Sequence, residues 1–303
     1  LSHNSVKIAK LAKEVVEAKK EMQHRLSAIE NGDWFKRPAK NHKERKVIEK
    51  KIEDEEMRPI KTSYQTILTD YRNIINKLSL IFRNFNNSLE IDKFSKRGRL
   101  NKNYIKTVMS NYKFKKCFTK KVRSKILKLI ILVDISGSMD GVKMKAAKVA
   151  LVLLVEALKN LAQIKIILFC GSMDARNIIV KDFEDPFKES NIDRFGRHKR
   201  DGSNLDGVSL SHEAAKYNGD EIFIVISDGQ PAGHGGYGIN ECVQEVQEVR
   251  KRFKVFAFSI DARGEYLDKI YGKNYVLAQS RNDTDLMDKM VQFSKSVIKE
   301  YYR

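Results

Sequence analysis

Cysteine is scarce in this chain: its 303 residues hold three, Cys117, Cys170 and Cys242. They are far apart and never in C-x-x-C spacing, which excludes a disulfide frame or thiolate zinc site and suits a reducing compartment. No stretch approaches the ~18 consecutive apolar residues of a membrane-spanning helix, so no membrane role is expected. The opening Leu1-Ser-His-Asn-Ser lacks an apolar signal core, so a cytoplasmic protein is expected. The first residue is not Met, which leaves room for sequence ahead of it. No G-x-x-x-x-G-K-[ST] phosphate loop occurs, so the chain is not expected to be an ATPase itself. The six histidines are scattered, and no good nucleophile–base pair stands out. Only His212 and His234 fall near the motif loops below. His212 reads as a helix-surface residue. His234, in Gly233-His-Gly-Gly-Tyr-Gly238, belongs to a flexible loop or to a rim that touches a partner.

What the chain does have is positive charge, +19 in all, unevenly placed. Residues 1–128 hold 33 Lys/Arg against 14 Asp/Glu, and residues 129–303 hold 25 of each. Composition alone therefore marks a boundary near 128. The excess is densest at 92–128, with 14 basic residues and one acidic. The expected division is a helical N-terminal region (1–91), a basic connecting segment (92–126) and an α/β domain (127–303).

Long-chain residues and helical spacing of Ile8, Leu11, Val15, Val16, Met22 and Leu26 predict a helix over Val6–Ile29. Residues 41–57, almost wholly charged, read as an exposed helix or linker. Thr62–Asn86 reads as one amphipathic helix. From Leu127 onward strands and helices alternate. Strands are expected at 127–134, 164–169, 176–180, 221–227, 253–260 and 274–277, and helices at 141–162, 204–217, 239–252, 264–271 and 283–299. Such alternation predicts a mostly parallel, Rossmann-like sheet flanked by helices.

The most informative run is Ile131-Leu-Val-Asp134-Ile-Ser136-Gly-Ser138. A near-continuous apolar stretch suits a strand covered on both faces, and Asp134 is the first polar residue at its carboxyl end. Ligand crevices of open α/β sheets form outside those ends. One carboxylate and two hydroxyls offer only oxygen, which suits a hard cation such as Mg²⁺. An ordinary turn rich in Ser and Asp is the competing reading. Two further clusters weigh against it. Glu221-Ile-Phe-Ile-Val-Ile-Ser227-Asp228 is a second apolar strand ending in Asp, so Asp228 belongs at the same edge. Asp201-Gly-Ser203-Asn-Leu-Asp206 opens a helix. Ser203 there can cap the helix or bind a metal. Asp206 reads as a favourable charge near the helix start or as a possible metal or supporting residue.

In this order Asp134, Ser136, Ser138, Ser203 and Asp228 resemble the metal-ion-dependent adhesion site (MIDAS) of von Willebrand factor A (VWA) domains. Ser203 stands where that family usually has Thr. The resemblance implies that these five residues hold Mg²⁺ (Mn²⁺ or Ca²⁺ being possible), directly or through water. It also implies that the ion accepts a further acidic oxygen from a partner protein. The flank Lys96-Arg-Gly98-Arg-Leu100, the later Asn204-Leu-Asp206-Gly207 and Ile226-Ser-Asp228-Gly-Gln-Pro231 look like the CobT-like group, companions of MoxR-type AAA+ ATPases. The long acidic tract of some chelatase subunits is absent.

That likeness implies a non-catalytic adaptor between an AAA+ ring of MoxR type and a client, as in a chelatase or remodelling complex. The alternative is nucleic-acid binding by the basic-aromatic segment 92–128. There Lys96, Arg97, Arg99, Lys113, Phe114, Lys115 and Lys116 are candidate contacts to phosphates, bases or a partner. An adhesion role is a third reading, against which cysteine usage and the lack of a signal weigh.

Overall fold

The computed structural model describes residues 45–88, 91–95, 99–100, 118–122, 127–200, 202–262 and 264–301. The helix expected over Val6–Ile29 lies outside them, as do Lys96, Arg97, Lys113, Phe114, Lys115 and Lys116. Arg99 opens a two-residue strand.

The strands in chain order are β1 (Val47–Lys51), β2 (Met57–Pro59), β3 (Ile91–Ser95), β4 (Arg99–Leu100), β5 (Phe118–Val122), β6 (Leu127–Asp134), β7 (Ala162–Cys170), β8 (Ala175–Lys181), β9 (Gly196–His198), β10 (Glu221–Ser227), β11 (Lys254–Ile260) and β12 (Tyr275–Ala278). The helices are α1 (Tyr64–Asp70), α2 (Arg72–Ser88), α3 (Val142–Leu158), α4 (Glu189–Asp193), α5 (Asp206–Ala214), α6 (Ile239–Arg250), α7 (Gly264–Tyr271) and α8 (Asp283–Tyr301). Seven strands form one sheet in the order β1-β8-β7-β6-β10-β11-β12. All neighbours run parallel except β7 and β8, which are antiparallel.

β6 and β10 lie at the centre because their apolar runs satisfy both faces at once. Side chains alternate across a strand. Leu129, Ile131 and Val133 therefore join one core with residues of α3 and α8, while Ile130 and Leu132 join another with residues of α5, α6 and α7. By the same alternation Asp134 belongs to the α5 side. β6 pairs in register with β10 through Ile226↔Val133, so Asp134 and Asp228 emerge at one carboxyl edge.

Two expectations for the N-terminal part are corrected. The described part of 41–57, residues 45–57, is neither an exposed helix nor a linker: β1 pairs with β8, Ile52 is fully buried in a short 3-10 turn between the strands, and β2 pairs with β9. Glu49, Lys50 and Lys51 are exposed on β1, as suits an edge strand, where charge discourages further pairing. The single helix expected over Thr62–Asn86 is two, broken at Tyr71, which leaves the helical region (φ −111°, ψ 17°). Ser63 caps the first by accepting from the Thr66 N–H at 3.1 Å. Ile67, Leu78 and Phe82 are buried in the same core as Leu129 and Ile131. Buried Lys148 of α3 donates to the Thr62 carbonyl at 2.7 Å. The boundary that composition draws near 128 is thus not a boundary of the core: residues 47–82 help to build it.

Candidate metal centre

The β6–α3 turn places Asp134 at the bottom of the site and two hydroxyls above it. Asp134 is fully buried, Ser136 nearly so, and Ser138 exposed. Asp134 Oδ1 accepts from the Ser136 N–H at 2.7 Å, and the Ser136 and Ser138 hydroxyls lie 3.0 Å apart. A tight approach between loops brings Ser203 alongside. The Gly137 N–H donates to the Gly202 carbonyl at 2.7 Å, and a Cβ at Gly137 would sit 3.2 Å from that oxygen. A side chain there would require that oxygen to give by a few tenths of an ångström. The Ser203 carbonyl accepts from the Gly171 N–H at 2.8 Å. Ser203 does not cap the helix: α5 starts at Asp206 with Leu205 in the cap position.

Asn204 organises the interior. Its side-chain N–H₂ donates to Asp134 Oδ2 at 3.0 Å and to Asp206 Oδ2 at 3.2 Å, while its Oδ1 accepts from the Ala232 N–H at 2.9 Å. Asp228 closes the group from the end of β10. Lys143 Nζ donates to its Oδ2 at 3.0 Å, and its main-chain carbonyl accepts from Tyr266 at 3.1 Å. Sequence reasoning missed the roles of Asn204 and Lys143. A hint lay in Asn204 itself, an amide set between two acidic residues of the loop.

Three carboxylates are thereby buried together. Burial, followed by the charge of Asp228, pushes Asp134 up to about 7, against the opposing pull of the Ser136 and Asn204 hydrogen bonds. Burial, followed by the charges of Asp134 and Asp228, pushes Asp206 well above the usual carboxylate range. Asp206 Oδ1 and Asp228 Oδ1 are buried without hydrogen-bond partners. Orphaned acceptors in a cluster of like charge are costly unless a cation meets them. The residues therefore fit a hard divalent ion: buried carboxylates with the buried Ser136 hydroxyl, the half-buried Ser203 and the exposed Ser138. Among the described residues no three His, Cys, Asp or Glu side chains close into a metal cage by themselves. An ion here would draw on the hydroxyls as well.

The neighbouring loops are fastened separately. Arg45 donates to the carbonyls of Met173 and His234 at 3.0 and 2.7 Å, and its guanidinium lies 5.4 Å from the Tyr237 ring centre. The His234 N–H donates to the Ser172 carbonyl at 2.8 Å, so the glycine-rich run is tied down on both sides. Tyr237 accepts from the Gly207 N–H at 2.9 Å and donates to Glu245 at 2.9 Å, which supports the first turn of α5 from below Asp206. His212 bonds Glu49 on the outer surface of α5, away from this cluster.

A mostly parallel sheet flanked by helices, with a cluster of carboxylates and hydroxyls at its carboxyl edge, defines the class as an open, Rossmann-like α/β domain. The chain belongs to the von Willebrand factor type A domain family, whose model matches residues 128–292. Among solved structures it is similar to BatB from Bacteroides thetaiotaomicron, at 17% identity and TM-score 0.42, covering 57% of this chain and 99% of that one. It is also similar to the PilB minor pilin from Streptococcus sanguinis, at 14% identity and TM-score 0.45, covering 62% and 66%. A third is proximal thread matrix protein 1 of the mussel byssus, in a form with a zinc-occupied MIDAS motif, at 18% identity and TM-score 0.40. That match covers 57% of this chain and 47% of the mussel chain, less than half of its length. No curated protein matches the chain.

Proposed function

We propose that this protein is a non-catalytic, divalent-metal-dependent binding module that grips an acidic side chain of a protein partner. The carrying observation is the pair of orphaned buried oxygens, Asp206 Oδ1 and Asp228 Oδ1, at the edge that also carries the exposed Ser138 and the half-buried Ser203. Mg²⁺, the ion this oxygen set suits, would supply a Lewis-acidic contact for one outside anion. The hydroxyls on the open side are neutral and do not themselves repel an outside anion. Asp134, Asp206 and Asp228 hold the negative charge, Asn204 spaces two of them, and Ser138 and Ser203 are the serines nearer the open side.

The surrounding edge suits a protein partner. Val142, the first residue of α3, and Met173, in the turn after β7, are 46% and 66% exposed. They offer apolar contact beside the polar centre. A cavity of about 310 Å³ next to Val142 is lined by Lys145, Val149, Arg281, Asp283 and Leu286. Its two cations favour an acidic partner surface.

The finer reading is that of the adaptor: the acidic residue belongs to a AAA+ ring of MoxR type or to its client, and ATP-driven movement of the ring acts on what the rest of the chain holds. Capture of the cognate ATPase in Mg²⁺ and in EDTA, with wild-type and Asp134→Ala chains, tests this. Capture that needs both Mg²⁺ and Asp134 is expected. Equal capture by the variant refutes the metal grip. Binding of single-stranded RNA or DNA that weakens steeply with salt, with no ATPase capture, would favour the nucleic-acid reading instead.

A further inference from the structure

Lys143 is the one side-chain cation that reaches the carboxylate cluster among the described residues, with Nζ 3.0 Å from Asp228 Oδ2. Helix chemistry alone does not select this position. Lys143 lies in the first turn of α3, a turn without an acidic residue, where a cation faces the positive end of the helix. The side chain is only 28% exposed, so it is not a freely solvated surface lysine. Asp228 is what compensates it. The same carboxylate keeps its other oxygen, Oδ1, buried and without a partner. One oxygen of Asp228 is therefore committed to Lys143 and the other is open to the ion.

We propose that Lys143 is an internal cation that shares Asp228 with the divalent ion and lowers the affinity of the site for it. This rests on the metal-binding reading above. A single positive charge held on the same carboxylate as a divalent ion repels it at short range. Partial burial limits how far solvent screens that repulsion. The site would then bind its ion less tightly than its three carboxylates alone allow, and would keep more positive charge toward an incoming anion. A lysine that merely positions Asp228 would act in the opposite sense, since its removal would loosen a ligand and weaken the ion.

Binding of Mn²⁺ to the full chain, followed by the electron paramagnetic resonance signal of the free ion, separates the two. Lys143→Met and Lys143→Gln are expected to bind Mn²⁺ tighter by about tenfold or more, Lys143→Arg to stay near wild type, and Asp134→Asn to lose binding. Circular dichroism of each variant checks that it folds. Unchanged or weaker binding in both neutral variants, with Asp134→Asn still lost, overturns the role of Lys143 alone. Mn²⁺ binding by Asp134→Asn equal to wild type, or no binding by any chain, overturns the metal site and this proposal with it.

Discussion

Helix α5 carries a buried acid near each end, and their surroundings are opposite. Glu213, in its last turn, is fully buried but matched: Lys165 Nζ lies 2.7 Å away, Lys216 Nζ 2.8 Å, and the Tyr217 hydroxyl donates at 2.9 Å. Lys165, itself buried in β7, also pairs with Asp182 at 3.1 Å. Burial works against its charge, but Glu213 and Asp182 outweigh that and hold it above the ordinary lysine range. Asp206, in the first turn, shares its enclosure with Asp134 and Asp228 and leaves an oxygen unbonded. The same sheet thus holds one buried charge cluster that is balanced internally and one that is not. The balanced cluster fastens α5 to the sheet. The unbalanced one leaves buried acceptors without partners, and these are what the proposed metal-dependent function draws on.

The sharpest way to break this comparison is to remove charge from each cluster. Lys165→Met leaves Glu213 buried with the partly exposed Lys216 as its one cation beside the Tyr217 hydroxyl, and a loss of about 3 kcal/mol is expected in urea unfolding. The double change Lys165→Met with Glu213→Leu should recover most of it, since a matched apolar pair replaces a matched ionic one. At the other end of α5 the sign reverses. Asp206→Asn keeps an oxygen for Asn204 and relieves like-charge repulsion, so in EDTA it should stabilise the chain by about 1–2 kcal/mol. It should also reduce the stabilisation that Mg²⁺ confers on wild type. A destabilised Asp206→Asn chain in EDTA would mean that the cluster is internally balanced after all.

How far the sequence shows this differs between the two clusters, and the reason is distance along the chain. β6 and β10 run over the residues their apolar stretches predict, because an Asp or Ser ends each run where the sheet ends. The placement of Asp134 and Asp228 at one edge follows from that pattern. Asn204 and Lys143 reach Asp134 and Asp228 across 70 and 85 residues, and apart from the acidic neighbours of Asn204 no local pattern announces those contacts. β1 was hidden for another reason: Glu49, Lys50 and Lys51 follow Val47 and Ile48, and an edge strand needs few apolar residues. The split between α1 and α2 was hidden because apolar spacing continues through Tyr71, which is itself buried although its backbone is not helical.

Acidity offers a gentler probe. Burial and the charge of Asp228 push the folded pKa of Asp134 up to about 7 from the ordinary carboxylate value of 3.8. Between those values the folded chain holds a proton that the unfolded chain has released. In EDTA this group therefore adds stability below about pH 4, and that stability is lost as pH rises through 7. Over this range the expected loss is on the order of 1–3 kcal/mol, less in Asp134→Asn, as read from urea midpoints against pH. Saturating Mg²⁺ should reverse the trend, because only the ionised carboxylate serves the ion. A pH trend identical with and without Mg²⁺ would separate Asp134 from any metal.

The smallest effect belongs to charges that are paired but solvated. Lys251 and Glu248 pair on α6 and the turn that follows it, with both side chains about two-thirds exposed at 67% and 69%. Water already satisfies each of them, and holding two long side chains together costs entropy. Lys251→Ala should therefore shift stability by less than about 0.5 kcal/mol, within the error of a urea melt. Raising the salt should leave even that difference unchanged or smaller. The three sites together would then isolate what matters. An exposed pair changes almost nothing, a buried balanced pair is costly to break, and a buried unbalanced cluster grows more stable when one of its charges is removed. Only the last behaviour is that of a site arranged for something other than the fold.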